Sequence, residues 1–180
     1  MDRIRRKSTT QPREVSPPPI PPLNEALEVR SEPIQVGDIA PDFSLLDQQS
    51  QLWHLNDAVE AGGVVLCFFP MAFTPVCESE MKCITAELGQ WKSKNVRMVG
   101  ISCDTPPALE AWAKVLGLDH TLLSDIHRSV SKAYGLHWPE MNLSHRGTII
   151  IGSGRKVCFT QVRPFEQAME INKVLKRPLR

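Results

Sequence analysis

Residues 64–80 read V-V-L-C-F-F-P-M-A-F-T-P-V-C-E-S-E, and they are the most informative part of the sequence for the fold. The first six residues of this stretch are apolar and predict a fully buried central strand over 64–69. A helix is expected to follow over 75–93, which places Cys77 where the strand meets the helix N-terminus. A helix start carries a partial positive charge and unpaired N–H groups, so it favours a thiolate and makes the sulfur nucleophilic near neutral pH.

The periodicity on either side of this stretch predicts the remaining elements. Strands are expected at 43–46, 51–55, 96–102, 148–151 and 156–160, and helices at 106–116, 129–134 and 165–175. Gly117 and Gly135 suit the C-caps of two of these helices, and Gly152 and Gly154 suit the turn of a hairpin. Strands that alternate with helices and then close with a hairpin and a helix favour an α/β fold with a mixed sheet.

Length and composition indicate one globular domain with a tail. The chain has 180 residues, of which 42% are hydrophobic and 23% charged. Its 21 Lys and Arg residues nearly balance its 20 Asp and Glu residues, so nucleic acid is not an expected partner. The longest apolar stretch, 64–73, is far shorter than the about 20 residues of a membrane span, so no membrane association is expected. Five unevenly spaced cysteines favour a reducing, cytoplasmic location.

The first part of the chain differs in composition from the rest. Residues 1–34 hold seven of the fifteen prolines and few large apolar residues, so we expect a disordered extension before a folded domain at 35–180. The basic residues at 3–7 raise the alternative of organelle targeting, although Asp2, Glu14 and the proline run disfavour an amphipathic transit helix.

Three blocks of sequence resemble a known family. The pattern P-x-x-x-T-x-x-C at 70–77, with Glu80 three places later, resembles the active-site signature of the peroxiredoxins. Residues 37–43 resemble the entry segment G-x-x-A-P-x-F of that family, and Arg146 followed by an apolar strand resembles its arginine block. Within that family, the sequences of these blocks are most similar to the one-cysteine, AhpE-like subgroup. The resemblance implies a thioredoxin-like fold, with a central mixed sheet flanked by helices, and a homodimer.

The function that follows is a thiol-dependent peroxidase for hydrogen peroxide and organic hydroperoxides. Cys77 is expected to attack the peroxide and become a sulfenic acid, which an external thiol then reduces. Thr74 would supply a hydroxyl near the sulfur, and Pro70 would shield the site and stiffen the loop. Arg146 would favour the thiolate and donate to the peroxide oxygens, while Glu80, one helical turn past Cys77, would orient Arg146.

Simpler interpretations exist for several of these residues. Thr74 with Pro75 is also typical of an ordinary helix cap, which leaves Pro70, Glu80 and Arg146 unexplained. Cysteines outside the signature are expected to be small buried hydrophobic residues, namely Cys67, Cys103 and Cys158. The five histidines show no paired ligand spacing, so neither a metal site nor a cofactor is expected.

Cys83 is the candidate resolving cysteine. It lies six residues after Cys77, so the two Cα atoms of an intact helix would be about 10 Å apart. A disulfide needs less than about 7 Å, so this bond requires the helix start to unwind. A one-cysteine cycle is therefore the default expectation.

Two other functions compete with the peroxidase. A thioredoxin-like disulfide exchange protein would need a C-x-x-C pair, which this chain lacks. A non-enzymatic redox sensor would be oxidised once without turnover. If the peroxidase is correct, apolar neighbours such as Met71, Phe73 and Trp138 are expected to admit organic hydroperoxides.

Overall fold

The computed structural model describes residues 19–177. Its strands are β1 (Ser44–Asp47), β2 (Leu52–His54), β3 (Gly63–Phe68), β4 (Val96–Ser102), β5 (Thr121–Ser124), β6 (His137–Trp138), β7 (Leu143–Ser144), β8 (Arg146–Ile151) and β9 (Val157–Arg163). Its helices are α1 (Pro22–Glu25), α2 (Leu55–Glu60), α3 (Pro75–Ala86), α4 (Leu88–Ser93), α5 (Pro106–Leu116), α6 (Ser129–Ala133) and α7 (Ile171–Leu175). Among these described helices, none is long and apolar enough to cross a membrane.

One mixed sheet organises the chain, in the strand order β2-β1-β5-β4-β3-β8-β9. Strands β3, β4 and β5 run parallel to one another, and the remaining neighbours are antiparallel. In the register of β3 and β8, Phe68 pairs with Gly147. The end of β3, from which the chain enters α3, therefore lies beside the start of β8, where Arg146 is located.

Strand β3 supplies core residues to both faces of the sheet, because successive side chains of a strand point to opposite sides. Leu66 and Phe68 pack in a cluster with residues of α2 and α6. Val65 and Cys67 pack in a second cluster with residues of α3, α4, α5 and α7. The result is a three-layer α/β structure with the sheet in the middle, as the sequence predicted.

The segment that precedes the sheet packs against it over residues 22–34, although the sequence predicted a disordered extension over 1–34. The buried Asn24 amide donates to the Ser44 carbonyl at 2.7 Å and accepts from the Ser44 N–H at 2.9 Å. Ile34 is fully buried, and its N–H donates to the Tyr134 carbonyl at 3.1 Å. Residues 1–18, with the basic cluster, lie outside the described residues.

Gly135 allows this segment to approach the domain closely. It follows α6 with a φ of +66°, and the N–H groups of Gly135 and Leu136 bond to the carbonyls of Lys132 and Ser131. This is the Schellman ending that the sequence predicted for a glycine at this place. A Cβ at position 135 would lie only 2.0 Å from the Glu32 carbonyl oxygen, so glycine also makes room for the crossing segment.

Two predicted helices differ from those observed. The predicted helix 75–93 is divided into α3 and α4 at Glu87, whose φ of −100° and ψ of 5° leave the helical region. The predicted helix 165–175 is helical only in α7, because backbone groups of residues 165–169 bond to buried side chains instead. Helix α2, strand β5 and the β6–β7 hairpin were not predicted.

Candidate active site

Two hydrogen bonds hold the loop between β3 and α3 in place. The Ala72 N–H donates to an Asp104 carboxylate oxygen at 2.8 Å, and the Thr74 hydroxyl donates to the Met71 carbonyl at 2.9 Å. Phe73 adopts a φ of +59°, which is uncommon for an aromatic residue. The Asp104 contact could not be predicted from the sequence, because that residue follows a different strand.

Cys77 is the third residue of α3 and is fully buried. Thr74 occupies the N-cap position, but its hydroxyl does not cap the helix, since it bonds to Met71. The N–H groups of Val76 and Cys77 have no partner within the helix, as is general for a first helical turn. The positive end of the α3 dipole is therefore directed at the region of the sulfur.

Arg146, the first residue of β8, reaches this sulfur from the other side. Its Nη2 donates to Sγ of Cys77 at 3.3 Å, and its Nη1 donates to Oε2 of Glu80 at 2.5 Å. Nη2 and Nε also donate to the Phe165 carbonyl, at 3.1 and 3.3 Å. The structure thus brings Cys77, Glu80 and Arg146 together, although 69 residues separate Cys77 from Arg146 in the chain.

Glu80 joins two arginines in the interior. It is 1% exposed and accepts from Nη1 of Arg163 at 2.6 Å and from the Met169 N–H at 3.0 Å, in addition to Arg146. Two guanidinium groups and one carboxylate leave a buried net charge of +1 next to Sγ of Cys77. A thiolate would neutralise that charge, whereas a neutral thiol would leave it uncompensated.

Arg163 was not among the residues singled out in the sequence. It ends β9, where the antiparallel register places it opposite Arg146. Its Nη2 donates to the Thr148 hydroxyl at 2.8 Å, and its Nη1 also donates to the Gln167 carbonyl at 3.3 Å. Like charges opposite each other destabilise a strand pair, so the shared Glu80 carboxylate is required here. This pairing depends on a register shift between Ile150 and Ile151, so extending the predicted hairpin would not have indicated it.

Residues 164–170, which we call the strap, follow β9 and cross the charged cluster. The carbonyls of Phe165 and Gln167 accept from Arg146 and Arg163, and the Met169 N–H donates to Glu80. Met169 is buried, and its sulfur accepts a hydrogen bond from the Thr148 hydroxyl at 3.3 Å. The strap therefore contributes main-chain groups to the site, and this explains why it is not helical.

A pocket of about 180 Å³ adjoins the charged cluster. It is lined by Pro70, Trp138, His145, Arg146, Arg163, Pro164 and Phe165. A larger open cleft, of about 660 Å³, is formed by residues of the 23–30 segment with Pro41, Asp42 and Ala133. The smaller pocket is the one adjoining Cys77, since Arg146 lines it and contacts the sulfur.

The other cysteines have different surroundings. Burial, and then the negative charge of Glu80, raise the pKa of Cys67 far above its usual range. Burial raises the pKa of Cys103 to about 12. Both are thus buried thiols, while Cys158 is half-buried and Cys83 lies exposed on α3. Over residues 19–177, no three His, Cys, Asp or Glu side chains are grouped so that they could hold a metal ion.

Proteins with similar sequences are named as peroxide reductases. Alkyl hydroperoxide reductase E of Mycobacterium tuberculosis (strain CDC 1551 / Oshkosh) is 34% identical over 132 residues, which is 72% of this chain and 86% of that protein. Peroxiredoxin Bcp of Escherichia coli (strain K12) is 33% identical over 132 residues, covering 69% of this chain and 83% of that protein.

Known structures show the same fold. A crystal structure of Peroxidoxin BcpB from Mycobacterium tuberculosis has a TM-score of 0.72 and 30% identity, covering 79% of this chain and 94% of that one. Reduced 2-Cys Peroxiredoxin from Plasmodium vivax has a TM-score of 0.73 and 28% identity, covering 80% of each chain. The predicted thioredoxin-like fold is confirmed.

Fold and site together define a thiol-dependent peroxidase of the peroxiredoxin class. The chain belongs to the AhpC/TSA family, whose sequence profile matches residues 36–160. The predicted resemblance to the peroxiredoxins, including an AhpE-like protein, is confirmed by these matches.

Proposed function

We propose that Cys77 is the sulfur that reduces hydrogen peroxide and organic hydroperoxides. The observation that carries this proposal is the Arg146 guanidinium, which contacts Sγ of Cys77 at 3.3 Å while Glu80 holds its other side. A fixed, buried positive charge stabilises both the attacking thiolate and the charge that develops on the peroxide oxygens. Because this charge is in position before the substrate binds, the protein does not have to reorganise during the reaction.

The proposed first step is a displacement at oxygen. The Cys77 thiolate attacks the terminal oxygen of the hydroperoxide, the S–O bond forms and the O–O bond breaks. The leaving oxygen takes a proton and departs as water or an alcohol. Sulfur is oxidised to the sulfenic acid, and the peroxide is reduced.

Three further residues have proposed roles in this step. Arg146 holds the two oxygens in line with the sulfur through its N–H groups, and Glu80 fixes the plane of that guanidinium. Thr74 offers its hydroxyl oxygen to the peroxide proton, for which its bond to Met71 leaves acceptor capacity. Pro70 is buried at the edge of the pocket and keeps water away from the sulfur.

An external thiol completes the proposed cycle. The first thiol attacks the sulfenic acid, forms a mixed disulfide and releases water, and a second thiol then frees Cys77 and leaves as a disulfide. Cys83 is the alternative resolving residue, but it is exposed while Cys77 is fully buried in the same unbroken helix α3. A bond between them requires the first turns of α3 to unwind.

Peroxide consumption with excess thiol distinguishes a peroxidase, which turns over, from a redox sensor, which is oxidised once. We expect continued turnover by the native chain and by Cys83→Ser, and none by Cys77→Ser. Oxidation of Cys77 that stops after one equivalent with every thiol supplied would support the sensor. A Cys77–Cys83 disulfide that persists on dilution, detected by mass spectrometry, would overturn the one-cysteine cycle.

The assembly and location of the protein are also proposals. The apolar side chains of Met71 and Phe73, 38% and 59% exposed beside the active-site loop, support a homodimer. Sedimentation of the native chain and of Phe73→Glu tests this, since a charge in the interface should yield monomers. Five unpaired cysteines support the cytoplasm, and localisation of a tagged full-length chain tests that expectation.

A further inference from the structure

The pocket beside Arg146 has walls made largely of rings. Trp138 stacks on His145 with a centroid distance of 5.1 Å and an interplanar angle of 12°. Phe165 meets the other side of Trp138 edge-on, at 6.0 Å and 62°. Pro70 and Pro164 also line the pocket. Offset stacking and edge-on contacts are the preferred aromatic geometries, so these walls are formed before any ligand binds.

These walls are tied to the guanidinium that contacts the sulfur. His145, which supports Trp138, directly precedes Arg146 in the chain. Phe165 is tied to the same side chain, because its carbonyl accepts from Nη2 and Nε of Arg146. A group bound against the two aromatic rings would therefore have a defined position relative to Arg146, whose Nη2 also donates to Sγ of Cys77.

The size and polarity of the pocket indicate what it could hold. Its volume of about 180 Å³ equals that of roughly six water molecules, far more than the two oxygens of hydrogen peroxide require. Burial lowers the pKa of His145, so this wall is uncharged at neutral pH.

We propose that Trp138 and Phe165 are specificity-determining residues that bind the organic group of a compact hydroperoxide with an aromatic or branched substituent. The proposal rests on the proposed peroxidase function of Cys77 and adds the substrate class. An organic group held against the rings would restrict the orientation of the O–O bond relative to Arg146, and such orientation raises the rate of the chemical step.

Other apolar residues near the loop lie elsewhere. Phe73 is 59% exposed, and its ring contacts Trp112 at 6.2 Å. Neither Phe73 nor Met71 lines the pocket beside Arg146. Of the three neighbours that the sequence suggested for organic hydroperoxides, Trp138 is the one that lines this pocket.

The test compares two substrates on the same sulfur. The rate constant for Cys77 sulfenic acid formation is measured by rapid quenching, dimedone trapping and mass spectrometry, with cumene hydroperoxide and with hydrogen peroxide. We expect Trp138→Ala and Phe165→Ala each to lower the cumene rate constant by about tenfold or more, a typical effect of losing apolar contacts in a pocket. The hydrogen peroxide rate constant should change by less than about threefold, because that substrate makes no contact with the walls.

The choice of variants distinguishes an effect of the aromatic rings from an effect on folding or on the Arg146 guanidinium. Phe165→Ala keeps the backbone carbonyl that bonds to Arg146, so it removes the ring alone. Trp53→Ala is the matched control, since Trp53 is also half-buried but lies on β2 away from the site, and it should leave the ratio of the two rates unchanged. Trp138→Phe and Phe165→Leu decide the question if an alanine variant does not fold, with a smaller loss expected in the same direction.

Two results would overturn the proposal. One is an equal loss with both substrates, which would mean that the rings only support the fold. The other is no loss with cumene hydroperoxide, which would mean that the organic group binds elsewhere. Failure of the peroxidase function looks different, because then the native chain would form no Cys77 sulfenic acid with either substrate.

Discussion

At the scale of single residues, charge rather than exposure distinguishes Cys77 from the other cysteines. Cys67 and Cys77 are both fully buried, on the same face of the sheet. For Cys67, burial and then the Glu80 carboxylate raise the pKa, and both oppose ionisation. Cys77 instead receives a hydrogen bond from the Arg146 guanidinium. The same interior thus contains one inert thiol and one with a cation beside it.

Arg146→Lys tests whether the forked guanidinium is needed or only its charge. Lysine has one ammonium group, which cannot bond to Glu80 and Cys77 in the same rigid geometry. We expect the peroxide rate constant of Cys77 to fall by about 100-fold or more, as for loss of one preorganised donor. Stopped-flow oxidation measures this rate, and circular dichroism serves as the control for folding. A loss below about threefold would show that charge alone suffices.

Arg163→Met tests a positioning residue that acts through Glu80. Loss of the buried Arg163 hydrogen bonds to Glu80, Gln167 and Thr148 is expected to lower the free energy of unfolding by about 1–3 kcal/mol. The peroxide rate constant should also fall by about tenfold, since Glu80 would hold Arg146 less rigidly. Urea denaturation and stopped-flow oxidation measure the two effects.

The conservative variant Arg163→Lys separates positioning from general stability. It restores a charge near Glu80, so part of the rate should return. If stability returns but the rate stays at the level of Arg163→Met, the forked arginine geometry, which reaches Glu80 and Thr148 at once, matters. If the native rate persists in Arg163→Met, Arg163 has no positioning role.

At the scale of secondary-structure elements, the sequence was sufficient to predict those elements whose position depends on their own residues and on residues next to them in the chain. The run at 64–69 predicted β3 because six apolar residues in a row suit a strand buried on both faces. Pro75 and Gly117 marked the beginning of α3 and the end of α5 correctly, because both act through their own backbone.

Elements that depend on distant partners could not be predicted in this way. The strap has a helix-like pattern, yet its main-chain groups bond to Arg146, Arg163 and Glu80, which belong to other elements. The 22–34 segment has few large apolar residues, yet the buried Asn24 side chain pairs with the backbone of Ser44. In both cases tertiary hydrogen bonds outweigh local propensity.

Asn24→Ala tests how much that pair contributes. The variant leaves the Ser44 N–H and carbonyl without their partners, and a buried unsatisfied group costs about 1–3 kcal/mol. We expect hydrogen exchange of residues 22–34 to rise while exchange of the β3 amides stays unchanged. The matched control is Asn56→Ala, whose amide makes an exposed bond to Glu60. Equal exchange in native and Asn24→Ala protein would contradict this account.

At the scale of the whole molecule, the site exists only when the sheet is complete. Cys77 and Glu80 come from α3, Arg146 from β8, and Arg163 from β9, and up to 89 residues separate Glu80 from its partners. The sequence motif predicted the first three residues because the resemblance includes them. It did not predict Arg163, since the β8–β9 register that pairs it with Arg146 emerges only in the assembled sheet.

Acid sensitivity is expected from a histidine that links α3 to the sheet. His120 lies just before β5, and its Nδ1 and Nε2 contact the Thr85 hydroxyl at 3.0 Å and the Met81 sulfur at 3.3 Å. Burial lowers the pKa of His120 to about 4. The unfolded chain takes up a proton below about pH 6.5, whereas the folded protein resists protonation until about pH 4. Stability from this group is therefore complete above about pH 6.5 and is lost as the pH falls.

Glutamine does not titrate, so comparing His120→Gln with the native protein measures how much unfolding free energy is lost through protonation of His120. By linkage, the native protein should lose about 2 kcal/mol of unfolding free energy through His120 between about pH 7.5 and pH 5. The variant should lose that much less, although it starts from a lower stability. Burial raises the pKa of Asp125, an effect of opposite sign that is common to both proteins and cancels in the comparison. Urea denaturation at the two pH values measures the difference. The same loss in both proteins would show that His120 is already protonated, or exposed, in the folded state.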